Sequence, residues 1–445
     1  MVENFILSLI HQGRLAEART WLSQMNVVDI AYWMEELDDD SILVLFRLLP
    51  KDTAAEVFSH FSKEQQEFII ESIADREIKG IIDELFLDDT VDLIEEMPAN
   101  VVKKVLRNTS EERRKLINQF LKYPENSAGS LMTIEFVDLK KEMRVDQALE
   151  SIRKNGVDKE TINICYVIDS NRKLEGIIPI RKLILSDLSE NIENIMETNI
   201  ISVHTLDDQE EVANIFRKYD LIAVPVVDNE NRLVGIITVD DIVDIIEEEN
   251  TEDFHKMAAM QPSDEEYLKT KVTALAKHRV IWLLVLMISA TFTGTIIQKF
   301  EEVLQSVVVL TYFIPMIMDT GGNAGAQSAT LIIRGLALDE IDLSDILKVI
   351  WKELKVSLLV GVTLAIINFA RIIIMRQASV MIAATVSVSM LLTVILAKVI
   401  GGSLPILAKK IGLDPAIMAG PLITTIVDAL ALLAYFSMAS WVLGL

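Results

Sequence analysis

Two carboxylates lie within long apolar stretches in the C-terminal part of the chain. Asp428 is the one charged residue between Pro415 and Leu445, and Asp319 is the one charged residue between Val303 and Ile333. An ionisable side chain within a membrane span is costly and marks a functional site by default. Carboxylates are ligands that Mg²⁺ and Ca²⁺ prefer. We therefore predict cation binding at Asp428, with an internal pairing in the helix bundle as the alternative. For Asp319 the alternatives are a position near the cytoplasmic or outer mouth and a cap on a half-helix.

Asp319 is followed by a glycine-rich segment, Gly321-Gly322-Asn323-Ala324-Gly325. The glycines are expected to break a membrane helix and expose backbone carbonyls, which is tolerated only where the backbone lines protein or water. Close packing of helices through small residues is the other interpretation, and the two are compatible. We predict Asn323 and Asp428 as ligands of the membrane site.

Membrane helices must position these residues. A spanning helix needs roughly 20 apolar residues, and the chain contains five long apolar windows: 280–298, 303–333, 356–375, 377–397 and 415–445. The third window is interrupted by Arg371. Basic residues flank one side of the spans more than the other, which predicts a cytoplasmic N-terminus and an outer C-terminus in the cell (inner) membrane. The inner-side residues are Lys269, Lys271, Lys277, Arg279, Arg334, Lys348, Lys352, Lys355, Lys409 and Lys410.

The net charge of −24 lies in the N-terminal part of the chain. The segment after residue 277 holds 10 acidic and 11 basic residues, which leaves 56 acids and 31 bases before it, a formal charge of −25. A nucleic-acid partner is not expected, because phosphate binding needs a basic surface. The one cysteine, Cys165, excludes an intrachain disulfide. We do not expect the start of the chain to be a secretory signal, since Glu3 precedes only a short apolar run.

Two internal repeats divide the N-terminal part. Residues 1–125 show apolar residues at helical spacing, with Leu49-Pro50 and Met97-Pro98 marking the starts of later helices. Val167-Ile168-Asp169 and Val226-Val227-Asp228 each precede a second apolar run by seven residues. Each unit predicts strand, turn, strand and helix, and the tandem resembles a pair of CBS domains. A polar stretch from Ile245 to Lys277 predicts one long connecting helix.

The order of these parts, together with two segments, resembles the MgtE family of magnesium channels across essentially the whole chain. The segments are Gly321 to Ser328, and Gly412-Leu413-Asp414-Pro415 followed by Gly420-Pro421 and Asp428. We therefore expect a multidomain membrane protein. It comprises an all-α superhelical N-terminal domain (1–125), an α/β tandem CBS pair (126–190 and 191–250), a connecting helix (251–277) and a five-span α-helical transmembrane domain (278–445).

The resemblance implies a homodimeric channel with its pore between subunits and a hydrated Mg²⁺ near Asp428. Position 420 is glycine here, so no side-chain ligand is expected there. It also implies Mg²⁺ sites on the cytoplasmic domains at Glu56, Asp88, Asp92, Asp208, Glu210, Asp220, Asp241, Asp244, Glu249, Glu252 and Asp253. Several of these acids lie one helical turn apart, where like charges repel unless a cation bridges them. A solvated acidic face is the alternative for each.

CBS pairs often hold adenosine nucleotides, and Thr238-Val239-Asp240-Asp241 matches a ribose-type pattern. ATP is therefore a candidate ligand at Thr238 and Asp241. The function predicted is Mg²⁺ uptake gated by cytoplasmic Mg²⁺. The alternative is a membrane-tethered CBS regulator that senses adenosine nucleotides and moves no ion. An enzyme is not expected, because the sequence has no nucleophile–base pair and no phosphate-binding loop.

Overall fold

The computed structural model describes residues 2–263, 267–268 and 270–444. It divides into two compact units, residues 1–245 and residues 246–445. Lys269, which contributed to the predicted orientation, lies outside the described residues.

The first unit begins with short helices joined by tight turns. Side-chain caps start several of them: Asp38 accepts a hydrogen bond from the Ser41 backbone N–H at 3.0 Å, which satisfies one free donor of the helix N-terminus. Pro50 and Pro98 occupy N-cap positions. The helices are α1 (Val2–His11), α2 (Leu15–Leu22), α3 (Val27–Glu35), α4 (Asp39–Leu48), α5 (Lys51–Ser59), α6 (Lys63–Ser72), α7 (Asp75–Glu84), α8 (Leu87–Glu96), α9 (Ala99–Asn108) and α10 (Glu111–Phe120).

Two similar α/β repeats follow and confirm the strand–turn–strand prediction. The first holds α11 (Ala128–Leu131), β1 (Val137–Leu139), α12 (Val145–Asn155), β2 (Ile164–Ile168), β3 (Leu174–Pro179), α13 (Ile180–Leu185) and α14 (Ile192–Ile195). The second holds β4 (Val203–His204), α15 (Gln209–Tyr219), β5 (Ala223–Val227), β6 (Leu233–Thr238) and α16 (Val239–Met257). In each three-stranded sheet the middle strand is parallel to the first and antiparallel to the third. Asp169 and Asp228 each accept two backbone N–H bonds and so close the turn between the last two strands.

The predicted single connecting helix to Lys277 is wrong. α16 runs from the second CBS repeat to Met257, and the next helix begins at Val272. Ala259 takes a left-handed conformation with φ 52°, and Pro262 lacks the backbone N–H that a continuing helix requires. The helix therefore ends before the first apolar window begins.

The second unit contains long apolar helices and one short helix. They are α17 (Val272–Lys299), the short α18 (Glu301–Ser306), α19 (Ile314–Ala337), α20 (Ile346–Ile374), α21 (Val380–Lys410) and α22 (Gly420–Leu443). Among the described residues, four segments are long and apolar enough to cross a membrane: 272–299, 343–374, 380–410 and 420–443. α20 begins before the third apolar window and extends over Lys348, Lys352 and Lys355, which precede that window.

The predicted helix break at the glycines is also wrong, because α19 is continuous from Ile314 to Ala337. The glycines are packing positions instead. A Cβ added at Gly321 would lie 2.8 Å from Thr393 on α21, and one added at Gly322 would lie 3.0 Å from Thr424 on α22. The absence of side chains lets these helices approach closely, as small residues do in membrane interfaces.

Candidate divalent-cation sites

An acidic cavity of about 630 Å³ lies in the first unit, between the N-terminal helices and the CBS pair. Helices α5, α7 and α8 form one side, and the α12–β2 loop and the start of α16 form the other. Twelve of its lining residues are acidic: Asp52, Glu56, Asp83, Glu84, Asp88, Asp89, Glu135, Asp158, Glu160, Asp240, Asp241 and Asp244. The basic lining side chains among the described residues are Arg113 and His60. The cavity therefore holds a large excess of potential negative charge.

Burial and mutual repulsion shift four of these carboxyl groups, Asp88, Asp89, Glu160 and Asp241, toward the protonated form. Asp88 is 8% exposed, and burial, then the charges of Asp89 and Asp241, holds its pKa well above the usual range. Burial and the charges of Asp241 and Asp240 raise the pKa of Glu160 to about 8. Burial raises the pKa of Asp241 to about 6, against the hydrogen bond from Thr238. Ionisation of these buried carboxyl groups is thus disfavoured unless a cation enters the cavity.

Arg113 does not neutralise this cavity by direct ion pairing. Its guanidinium donates to the backbone carbonyls of Leu85 and Phe86 and to Thr90 Oγ1, and so holds the turn between α7 and α8. Burial lowers the pKa of Arg113, while nearby carboxylates such as Glu135 raise it. Arg113 therefore chiefly holds in place the turn that joins the acidic helices α7 and α8.

Only four of the eleven Mg²⁺ ligands predicted for the cytoplasmic domains line this cavity. Glu56, Asp88, Asp241 and Asp244 line it. Asp92 lies one turn beyond Asp88 on α8, where desolvation and then the charge of Asp89 raise its pKa to about 8. The Asp92 side chain is nevertheless exposed, so the surrounding water weakens both the desolvation and the repulsion.

Three more predicted ligands in the first unit, all at the ends of α15, do not line the cavity. Asp208 caps α15 by accepting the Glu210 backbone N–H at 2.9 Å. Asp220 ends the same helix in a left-handed conformation with φ 50°, which Asp adopts more readily than most residues. Glu210 lies in the first turn of α15, where a negative charge is favoured by the helix dipole. Helix termini account for these acids in the first unit.

The acids Glu249, Glu252 and Asp253 lie on the last turns of α16, in the second unit. Lys256 Nζ contacts Glu252 Oε1 at 2.6 Å and Asp414 Oδ2 at 2.6 Å. Burial, followed by the charge of Asp414, raises the pKa of Asp253 to about 6. The lysine thus bridges α16 to the segment before α22, and Asp414 is a participant that the sequence prediction did not include as a site residue.

No preassembled metal site is present in the part of the chain that the structure describes, since no three His, Cys, Asp or Glu side chains converge there. The cavity instead places carboxylates around open volume. Mg²⁺ dehydrates reluctantly and is usually bound through retained waters and one or two carboxylates. The cavity fits a hydrated divalent ion better than a dehydrated one.

Sequence reasoning missed Glu160 and Asp89, which also line the cavity. Glu160 lies in the loop between α12 and β2, where no periodic pattern predicts which way a side chain points. Asp89 follows Asp88 directly, and adjacent helical residues normally point in different directions. The double acid Asp88-Asp89 at the start of α8 was the one available signal.

The predicted nucleotide residues contact each other directly. Thr238 Oγ1 donates to Asp241 Oδ2 at 2.8 Å, at the junction of β6 and α16. Asp241 also lines the acidic cavity. One carboxylate is therefore shared between the ribose-type pattern and the cation cavity.

Among the long helices of the second unit, Asp428 on α22 faces α19. A Cβ added at Gly322 would lie 3.8 Å from Asp428 Oδ1, and the Asp319 carboxylate is close enough to interact electrostatically with Asp428. Asp319 and Asn323 are exposed in the single chain. Thr424 and Thr425 donate to the Pro421 carbonyl at 2.8 and 2.9 Å, so their hydroxyls are used within α22. Two carboxylates thus lie near each other on neighbouring helices.

A bundle of apolar helices with paired carboxylates, joined to a CBS pair beside an acidic cavity, defines a CBS-containing membrane transporter for cations. Family models agree with this class. The MgtE model, described as a divalent cation transporter, matches residues 314–438. The MgtE intracellular N domain matches residues 25–126, and CBS domains match residues 128–188 and 192–248.

Known proteins resemble the chain over nearly its whole length. The magnesium transporter MgtE of Thermus thermophilus is 37% identical, covering 99% of this chain and 98% of the relative. Its namesake from Bacillus subtilis is 32% identical, covering 98% and 96%. Among solved structures, the cytosolic domain of the Mg²⁺ channel MgtE in complex with ATP is 34% identical, with a TM-score of 0.52, covering 54% of this chain and 98% of that one. This chain belongs to the MgtE family.

Proposed function

We propose that this protein is a Mg²⁺ channel of the cell (inner) membrane that closes when cytoplasmic Mg²⁺ fills its acidic cavity. The observation that carries the proposal is the excess of carboxylates around about 630 Å³ of open volume. Relatives at 32–37% identity over nearly the whole chain are named magnesium transporters. A membrane-tethered regulator that moves no ion is disfavoured, because it would need neither Asp428 nor its facing carboxylate.

In this proposal the permeating Mg²⁺ passes beside Asp428. The nearby Asp319 adds a second negative charge, and Asn323 lies one turn further along α19 and supplies a neutral oxygen. Carboxylate and amide oxygens at some distance from each other suit an ion that keeps part of its water shell. Asp428 is the principal site, and Asp319 and Asn323 shape the approach to it.

Gating follows from charge at the cavity. Without divalent ions the ionised carboxylates repel one another, which weakens the contact between the N-terminal helices and the CBS pair. Bound Mg²⁺ stabilises the closed contact by RT ln(1 + [Mg²⁺]/Kd). The residues proposed as ligands are Glu56, Asp88, Asp89, Asp92, Glu160, Asp241 and Asp244. Glu249, Glu252 and Asp253 form a second acidic group at the end of α16.

Five spans are proposed, with α19 as the one that falls outside the four most apolar segments. Its 24 residues give a length of about 36 Å, enough for a hydrocarbon core of about 30 Å. The N-terminus is then cytoplasmic and the C-terminus outside. The channel is a homodimer, in which the exposed faces of Asp319 and Asn323 turn toward the partner. The domain boundaries follow the predicted ranges, with the connecting segment helical only to Met257.

ATP is proposed as a second ligand, at Thr238 and Asp241. The cytosolic domain of a related channel has been solved with ATP, and Thr238 already orients the Asp241 carboxylate. Because Asp241 also lines the cation cavity, nucleotide and Mg²⁺ would influence each other's affinity through one carboxylate.

The test is Mg²⁺ flux into liposomes that contain the purified full chain. Wild-type protein should conduct at low internal Mg²⁺ and slow at millimolar levels. Asp428→Ala should lose most of the flux while inserting normally, and Glu302→Gln on the exposed α18 is the matched control. Absence of wild-type flux, combined with nucleotide binding, would support the regulator instead.

A further inference from the structure

A polar network lies between membrane helices and is not accounted for by the proposed ion path. Ser328 on α19 donates from Oγ to Glu353 Oε2 on α20 at 2.6 Å. Lys398 Nζ on α21 donates to the same Ser328 Oγ at 3.4 Å. Their exposed fractions are 1%, 9% and 5%. Among the described residues of the second unit, Glu353 and Lys398 are the charged side chains that are buried. The hydroxyl therefore links a buried cation to a buried anion across three helices.

Glycines form close helix contacts beside this network. A Cβ added at Gly401 would lie 2.3 Å from the Gly325 carbonyl oxygen, so α21 and α19 meet backbone to backbone. A Cβ added at Gly402 would lie 2.9 Å from Glu353 Cγ. Helices that meet through glycine have few protruding side chains to prevent one sliding past the other. A single buried polar contact is a known way of specifying register between helices.

The register of α19 matters for the proposed ion path. Ser328 lies nine residues after Asp319 and five after Asn323 on one continuous helix. At 1.5 Å per residue these separations are about 13.5 Å and about 7.5 Å. A slide of α19 by one turn, about 5.4 Å, would move Asp319 past its position beside Asp428.

We propose that the Lys398–Ser328–Glu353 network fixes the register of α19 against α20 and α21, and thereby sets the depth at which Asp319 and Asn323 lie relative to Asp428. This inference rests on the proposed function, since it names positioning residues for the same ion path. The three residues touch no permeating ion; they act through α19. Loss of either charge leaves its partner buried and uncompensated, which disfavours the native register.

Flux measurements on the reconstituted full chain test the proposal. Glu353→Gln and Lys398→Met should each lower Mg²⁺ flux per folded molecule about tenfold. The double variant, which buries no unpaired charge, should recover flux to within about threefold of wild type. Ser328→Ala, which keeps both charges but removes the link, should fall in between. Glu340→Gln and Lys352→Met, at exposed positions, are the matched controls.

A crosslink measures register independently of flux. In a Cys165→Ala background, Gly322→Cys with Thr424→Cys places the two Cβ atoms about 3.3 Å apart, near the separation that a disulfide needs. Crosslinking should be fast in that parent, at least fivefold slower after Glu353→Gln, and restored by adding Lys398→Met.

The outcomes separate the two proposals. Unchanged crosslinking and flux in Glu353→Gln or Ser328→Ala, or a double variant no better than the singles, would overturn the register proposal. If the two-cysteine parent crosslinks as expected and slows after Glu353→Gln, but the wild-type protein does not conduct, the proposed function is overturned and the register proposal stands.

Discussion

Removal of Mg²⁺ should make the stability of the acidic cavity depend on pH, and Glu160 shows the direction. Its pKa rises from 4.5 to about 8 in the folded protein, through burial and then the charges of Asp241 and Asp240. The folded protein therefore holds this proton more tightly than the unfolded chain does. The resulting stabilisation is complete at acid pH and is lost as pH rises from about 4.5 to about 8.

The magnitude follows from the part of that window between pH 6 and pH 8. Over these two pH units the loss of stabilisation from one such carboxyl group is about 2.7 kcal/mol, at 1.36 kcal/mol per unit. Glu160 is partly exposed, so we halve this for solvent screening to about 1.4 kcal/mol, a factor of about ten in the opening equilibrium. Asp88 and Asp241 act in the same direction, so the total effect is at least this large.

Hydrogen exchange of the full chain in detergent, with EDTA present and rates corrected for intrinsic pH dependence, measures the opening. The peptides that cover α8 and the α12–β2 loop should show that these segments open at least tenfold more often at pH 8 than at pH 6. Millimolar Mg²⁺ should reverse the slope, because protons then compete with the bound ion.

Glu160→Gln mimics the protonated carboxyl group and should remove about tenfold of the pH effect in EDTA. Glu150→Gln, on the exposed face of α12, should not. If the wild-type protein opens equally at pH 6 and pH 8 in EDTA, or if Glu160→Gln keeps the full slope, the electrostatic account of the cavity is refuted.

Three further predictions concern other parts of the molecule. Gly401→Ala should destabilise the membrane unit by about 1–3 kcal/mol through contact with the Gly325 carbonyl, measured as a lower melting temperature, whereas Gly294→Ala, with open space around it, should not. Thr238→Val should weaken ATP binding in calorimetry by about tenfold if the Thr238–Asp241 pair holds the ribose, and unchanged affinity would exclude that site. Lys256→Met removes the bridge to Asp414 and should make closure depend more steeply on Mg²⁺ in flux assays; an unchanged Mg²⁺ response would mean that this ion pair does not take part in gating.

Local patterns were sufficient to predict much of this fold. The turns after Asp169 and Asp228 were recognisable because an aspartate that accepts backbone N–H bonds closes a turn within five residues. The apolar windows were recognisable because membrane spans need continuous hydrophobicity. Asp428 stood out because an uncharged background isolates it, and the structure places it beside α19 and Asp319.

Tertiary packing decided what local patterns could not. The glycines of α19 look like helix breakers in isolation, but α21 and α22 pack against them and the helix continues through Ala337. Asp208 and Asp220, which the family resemblance implies as cation ligands, lie at the two ends of α15 and outside the acidic cavity; their role as ligands stays a prediction. Glu160 enters the acidic cavity only because a CBS loop lies opposite α8. Sequence determined most of the helices, the strands and the isolated membrane carboxylate, since hydrophobic period and turn chemistry are local. Which carboxylates share a cavity, and which helices touch through glycine, depends on contacts between residues far apart in the chain, and only the folded structure decides them.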